Sequence, residues 1–227
     1  MTDDAADTTD LAAERCLPVL NPPSDLLGDV GLLCRVLPSG THAGIVYRAV
    51  SGIRMLHLAG HCILRDDPHR FAKSACVAAP AFPRERQLMV AAMCQLIAEC
   101  HPQVPYSLRH SRTTGFSLQT GELKLGPGQT GLTCATFVAA VFESVGLPLV
   151  DIDDWVVREG DVQRQHELVK VLRIADAPAS HIALVEKEIG SVRVRPEEVA
   201  GSALVKTPCS MRSAEFAASH ILRVAAG

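Results

Sequence analysis

The stretch GPGQTGLTCATFVAAVFESVG (126–146) constrains this chain more than any other. Its opening turn, Gly126 to Gly131, cannot continue a preceding element. After it, Phe137, Val138, Val141, Phe142 and Val145 recur at helical spacing, and Gly146 and Pro148 end the run. Cys134 therefore falls in the first turn of an apolar helix. A thiol there meets unpaired backbone N–H groups and the positive end of the helix dipole, and both favour the nucleophilic thiolate. Most free cysteines are small buried hydrophobes. A glycine-rich turn is costly in chain entropy, however, unless something must approach the helix end, so Cys134 is read as a nucleophile.

The rest of the composition narrows the classes. The chain has 227 residues, enough for one domain with a sizeable core, and 48% of them are hydrophobic. A net charge of −3 with scattered Lys and Arg gives no electrostatic case for nucleic acid or an anionic membrane. Aromatics at 4% argue against base-stacking platforms. The N-terminus, MTDDAADTTDLAAER, is acidic and lacks a secretory pattern, and no stretch approaches the roughly 20 apolar residues of a membrane span. A soluble cytoplasmic protein is expected, with signal-independent secretion left open. Its eight cysteines are widely spaced and expected to be thiols.

Residues 1–25 read as an acidic, Pro-rich tail and 26–227 as one domain. His42–Val50 and Ile53–Leu58 form a hairpin signal around Ser51-Gly52. The polar Arg65–Pro68 breaks that pattern. A helix is expected over 84–100 with Leu88, Ala92, Met93, Leu96, Ile97 and Cys100 on one face. Residues 103–130 read as loops around a site. A helix follows over 161–174, then strands at 181–186 and 191–195, a helical turn from Pro196, and a last helix over about 213–224. That order is α+β.

A thiolate catalyst needs a base, and the base needs an orienting partner. His42 begins a strand. With Ser51-Gly52 as the turn, His57 opposes Val46 and His61 opposes His42, so alternation puts His42, His57 and His61 on one face. His181, at the start of the strand expected over 181–186, is the rival base, but it lacks a second histidine on the next strand. His42 is favoured. His69, His110, His166 and His220 read as solvated, and His101 closes a helix.

Cys134 in Leu-Thr-Cys-Ala-Thr-Phe-Val, with His42-Ala-Gly-Ile-Val-Tyr and His57, resembles the NlpC-like papain-fold superfamily. There a helix-N-terminal cysteine meets a histidine opening a His-x-Gly-Ile strand, with a third polar residue on the next strand. Because His42 precedes Cys134, the order resembles the circularly permuted branch that includes lecithin:retinol acyltransferase-like proteins. Thr133 stands where the superfamily commonly has Asn or Asp before the cysteine. The resemblance implies a papain-like fold, an antiparallel sheet packed against the cysteine helix, and acyl transfer without a cofactor. His42 would take the thiol proton, His57 would orient it, and a thioester would form on Cys134. The Cys134 N–H would serve the oxyanion, with Gln129 as the candidate second donor.

The substrate expected is an amide (peptide or isopeptide), with an acyltransferase or thioesterase as the alternative. Two other classes compete. His57, His61, Cys62 and His69 supply zinc-type ligands, although their spacing fits no structural zinc pattern. A papain-like groove without catalysis would leave Cys134 an ordinary thiol. Asp153 and Asp154 read as an exposed acidic loop anchored by Trp155, the one tryptophan, and Arg193, Arg195 and Glu197 as a solvated strand edge.

Overall fold

The computed structural model describes residues 16–18, 28–68 and 75–226. Its centre is an antiparallel sheet of order β1-β6-β2-β3-β4-β5, formed by Cys16–Pro18 (β1), Val30–Leu37 (β2), Gly40–Ala49 (β3), Gly52–Gly60 (β4), Ile63–Pro68 (β5) and Ala75–Ala78 (β6). Alternation explains the sheet. Leu32, Ile45, Tyr47, Leu56 and Leu58 are all fully buried on one face.

Against that face pack Arg84–Cys100 (α1) and Cys134–Ser144 (α2). Every residue of α2 from Cys134 to Phe142 is buried. It is apolar all round, as a helix enclosed on every side must be. A small hairpin, Gly115–Phe116 (β7) with Leu123–Lys124 (β8), covers another side of α2. Asp161–Ile174 (α3) and Ala179–Glu186 (α4) pack together around Val169, Leu172, Ala177 and Val185, with Leu108. Pro196–Gly201 (α5) and Met211–Ala226 (α6) close the main core.

The architecture is α+β, and several local expectations change. The hairpin turn is Val50-Ser51, so Ile45 pairs with Leu56 and Val46 with Met55, two residues from the expected register. A shift of two keeps every side chain on its face. Arg65–Pro68, read as a break, belongs to strand β5: its polar side chains suit an edge, where Asp66 accepts hydrogen bonds from Tyr47 Oη and Arg54. Residues 181–186 are helical, because Ile182, Val185 and Ile189 present one face at helical spacing to the second core cluster. Residues 191–195 form no strand. On α1 the buried face is Val90, Ala91, Met93, Cys94 and Ile97, and Leu88 is half exposed. Of the stretch expected as a tail, Cys16–Pro18 belongs to the sheet and the remainder lies outside the described residues.

No helix among the described residues is long and apolar enough to cross a membrane.

Candidate active site

Local sequence places Cys134 firmly. Thr133 is the N-cap of α2: its Oγ1 accepts from Thr136 N–H at 3.1 Å, and Thr136 Oγ1 accepts from Thr133 N–H at 2.8 Å. This reciprocal capping box accounts for a threonine before the cysteine. It satisfies two end groups and leaves the first-turn thiol in the field of the helix N-terminus. Cys134 is 5% exposed and opens onto a small cleft shared with Thr41, Tyr106, Arg164 and Arg193.

The start of β3 meets the thiol. The His42 ring and the Ala43 N–H lie close enough to Sγ to favour its thiolate. Burial pushes the Cys134 thiol up, but the His42 hydrogen bond and charge, with the Ala43 N–H and the Tyr106 hydroxyl, outweigh it and hold the pKa below that of a free thiol.

Behind His42 a polar line runs diagonally across three strands. His42 Nε2 lies 2.8 Å from His57 Nδ1, with the rings edge to face. His57 Nε2 lies 3.5 Å from Asp67 Oδ2. The register explains the line: His57 pairs with Arg65, and Met55 with Asp67, so Asp67 is the diagonal neighbour of His57 on the same face. Gly44 makes room, since a Cβ there would stand 3.1 Å from His57 Cβ. His57 is 8% exposed. Burial, and the charge of His42 to a lesser degree, lower its pKa to about 4 despite Asp67. The two rings also wall a mostly apolar hollow of about 220 Å³ with Leu33, Met55 and Ala59.

Tyr106, in none of the sequence patterns, completes the site. Its hydroxyl stands 3.9 Å from Cys134 Sγ, and burial raises its pKa well above that of a free phenol, keeping it protonated. The backbone around it is held from several directions. Tyr106 N–H donates to His61 Nδ1 at 3.2 Å, and its carbonyl accepts from His181 Nε2 at 2.8 Å. Buried Glu188 accepts from Ser107 Oγ, Leu108 N–H and Arg109 N–H through Oε2, and from Thr130 Oγ1 through Oε1. Ser107 N–H donates to Leu132 O, and Leu132 N–H to Pro105 O. Gly131 permits this approach, because a Cβ there would lie 2.1 Å from the Pro105 carbonyl oxygen. The glycine turn admits the chain that carries Tyr106.

The remaining expectations sort clearly. Cys134, His42 and His57 are brought together. His181 is not at the thiol; it sits on α4 bonded to the Tyr106 carbonyl, its ring 4.6 Å from that of His61. His61 faces His181 rather than His57. Gln129 is turned away from an oxyanion role: its Oε1 accepts from Thr114 Oγ1 and its Nε2 donates to Arg109 O, both at 2.8 Å, so it staples the loop. Among the described residues no group of three His, Cys, Asp or Glu side chains is placed to hold a metal; His69 lies outside them. His110, expected in solvent, is buried beside Glu143. Arg193 lines the cleft, and Arg195 pairs with buried Asp161. Trp155 is buried under the Arg158 guanidinium.

No protein-family model, curated protein or solved structure matches the chain.

Proposed function

We propose that the protein is a cysteine hydrolase of amide bonds, with a permuted papain-like arrangement of its catalytic groups. The observation that carries this reading is the polar line from His42 through His57 toward Asp67, set beside a Cys134 thiol whose pKa His42 helps to lower despite near-complete burial. An inert core cysteine has the opposite character, as Cys94 shows: burial raises its pKa far above that of a free thiol.

His42 takes the thiol proton, and the thiolate–imidazolium pair is the resting nucleophile. Sγ adds to the substrate carbonyl, and the oxyanion is met by the Cys134 N–H and the Tyr106 hydroxyl. His42 then returns its proton to the leaving amine, the C–N bond breaks, and a thioester remains on Cys134. Water, deprotonated by His42, attacks the thioester carbonyl and releases the acid and the thiol. His57 holds the His42 ring by its Nε2 throughout. A polar, cationic cleft wall formed by Thr41, Arg164 and Arg193 suits a polar acyl group better than an alkyl chain.

The test is labelling by electrophilic acyl probes, followed by peptide mapping, on wild type and the Cys134→Ala, His42→Ala and His181→Ala variants. Label is expected at Cys134, lost in Cys134→Ala, strongly slowed in His42→Ala and largely retained in His181→Ala. If His42→Ala labels like wild type while His181→Ala does not, the assignment of the base is wrong. Uniformly slow labelling of all cysteines would mark a binding groove instead of an enzyme.

A further inference from the structure

The charged side chains lining the Cys134 cleft, among the described residues, are of one sign: Arg164 and Arg193. Their acidic partners stand apart from the lining. Arg164 donates by Nη1 to Glu167 at 2.8 Å, on the exposed surface of α3. Glu197, at the start of α5, accepts from Thr41 Oγ1 at 2.5 Å. Arg193 shares Asp161, which is fully buried, with two other guanidiniums. Arg158 takes Oδ2 at 3.1 Å, and Arg195 reaches Oδ1 through Nη2 at 3.0 Å and Nε at 3.3 Å. Arg193 reaches the same Oδ1 through Nη1 alone, at 3.4 Å, the longest of these contacts. Glu198 and Glu215 are both engaged by Arg158.

Three guanidiniums on one carboxylate leave Arg193 the least compensated, and that contact is its one side-chain hydrogen bond among the described residues. Its other N–H donors form a planar fork suited to an incoming carboxylate. The cation, the nucleophile and the Tyr106 hydroxyl share one small cleft.

We infer that Arg193 is an anion-recognition residue, and that the acyl group of the substrate carries a carboxylate close to the carbonyl that Cys134 attacks. The inference rests on the acyl-transfer reading of Cys134. Arg164, on the same wall, adds long-range attraction for that charge.

Two reagent pairs test it on the full chain. Iodoacetate and iodoacetamide are close in size but carry an anionic carboxylate and a neutral amide respectively, and each loses iodide as the Cys134 sulfur forms the new S–C bond. At Cys134 the iodoacetate-to-iodoacetamide rate ratio, normalised to free cysteine at the same pH, should exceed unity by about tenfold, the scale of one charge-assisted hydrogen bond. It should fall toward unity in Arg193→Gln and in 1 M salt, and persist in Arg193→Lys, which keeps the charge should the Gln variant fold poorly. The second pair is the mono-p-nitrophenyl ester of glutaric acid against p-nitrophenyl pentanoate, read as kcat/KM with the thioester on Cys134 confirmed by mass. The acidic ester should win in wild type and lose its advantage in Arg193→Gln. Esters that turn over at Cys134 with no charge preference in either pair would overturn the inference and leave the hydrolase standing. A clear alkylation bias with no acylation of Cys134 by either ester would keep the anion site and overturn the hydrolase. A bias unchanged in Arg193→Gln would remove Arg193 from the role.

Discussion

His42 Nε2 and His57 Nδ1 lie 2.8 Å apart across neighbouring strands, and this contact orders the protons of the site. A His57 whose pKa is lowered to about 4 is neutral near pH 7. In the thiolate–imidazolium pair His42 is protonated on both nitrogens, so its Nε2–H donates and His57 Nδ1 accepts. The single proton of His57 is then on Nε2, directed at Asp67 Oδ2. Donors thus run outward from His42, toward the Cys134 sulfur on one side and through His57 toward Asp67 on the other, which favours positive charge on His42 and negative charge on sulfur.

Replacing His42 with Ala should slow acylation of Cys134 by about 10²–10⁴-fold, the usual worth of a general base. Replacing His57 with Ala should cost about ten- to a hundredfold, the rate equivalent of one charge-assisted hydrogen bond. Single-turnover acylation rates check both. In either variant the pH at which Cys134 alkylation reaches half its maximum should rise, because the imidazolium is removed in His42→Ala and loses its hydrogen-bonded support in His57→Ala. An unchanged alkylation profile in His57→Ala would reduce that residue to packing.

The depressed pKa of His57 also links folding to pH. Unfolded, the ring titrates near 6.5; folded, near 4. Between those values the unfolded chain binds more protons, so stability rises with pH across the window and falls on acidification. Above about pH 6.5 both states are neutral and the effect vanishes. Below about pH 4 the full penalty applies, up to about 3 kcal/mol for a shift of this size. Urea midpoints at pH 7, 5.5 and 4.5 should therefore decline, and His57→Gln should flatten the part of the slope that this ring contributes.

Much of this arrangement could be read from residue order, and the part that could not has physical causes. Alternation put His42 and His57 on one face, and that survived a two-residue error in register because an even shift preserves faces. The helix at Cys134 was legible from its caps and spacing. Asp67 was missed because Arg65-Asp-Asp-Pro68 has the composition of a turn; only the pairing of Met55 with Asp67 makes it an edge strand reaching His57. Tyr106 lies on a segment with no periodicity, and long-range bonds to His61, His181 and Glu188 fix its position. The one local hint was the glycine turn itself, since Gly131 marks where another backbone comes close. His181 misled because Ser-His-Ile-Ala-Leu-Val fits a strand template as well as a helix, and packing of Val185 into the second cluster decided it.

Tyr106→Phe removes one hydroxyl and little volume. If that hydroxyl serves the oxyanion, kcat should fall by about 10²–10³-fold, with folding stability changed by about 1 kcal/mol at most. Gln129→Leu should do the reverse. It breaks two hydrogen bonds of a buried loop staple, costing about 1–3 kcal/mol, and leaves kcat within a few-fold. Denaturation and steady-state rates on the two variants separate the roles. A large kcat loss in the folded Gln129→Leu protein would restore Gln129 as an oxyanion donor.

Arg158 holds buried Asp161 and Glu198 together and also reaches Glu215. Arg158→Met keeps much of the aliphatic stem over Trp155 and removes the charge. Arg195 still contacts Asp161, but Glu198 loses its guanidinium partner, so a loss of about 3–5 kcal/mol is expected. Chemical denaturation at pH 7 measures it. A loss below about 1 kcal/mol would show that Arg195 and Arg193 compensate the whole cluster.

Gly131→Ala tests whether the approach of one backbone to another sets the geometry around Cys134. The new Cβ would stand 2.1 Å from Pro105 O and 2.6 Å from Pro105 C, and neither is the end of a flexible side chain. Residues 105–107 must retreat, stretching the Leu132–Pro105 and Ser107–Leu132 hydrogen bonds and withdrawing the Tyr106 hydroxyl from Cys134. Stability should fall by about 1–3 kcal/mol, the range for overpacking a well-filled site. The rate should fall at least as far as in Tyr106→Phe, while alkylation of Cys134 by iodoacetamide continues, because His42 and Ala43 still meet the thiol. The double variant decides the cause. If Gly131→Ala acts through Tyr106, adding it to Tyr106→Phe should cost little further rate, giving strong non-additivity. Additive losses would mean that Gly131 serves the site by a route independent of Tyr106.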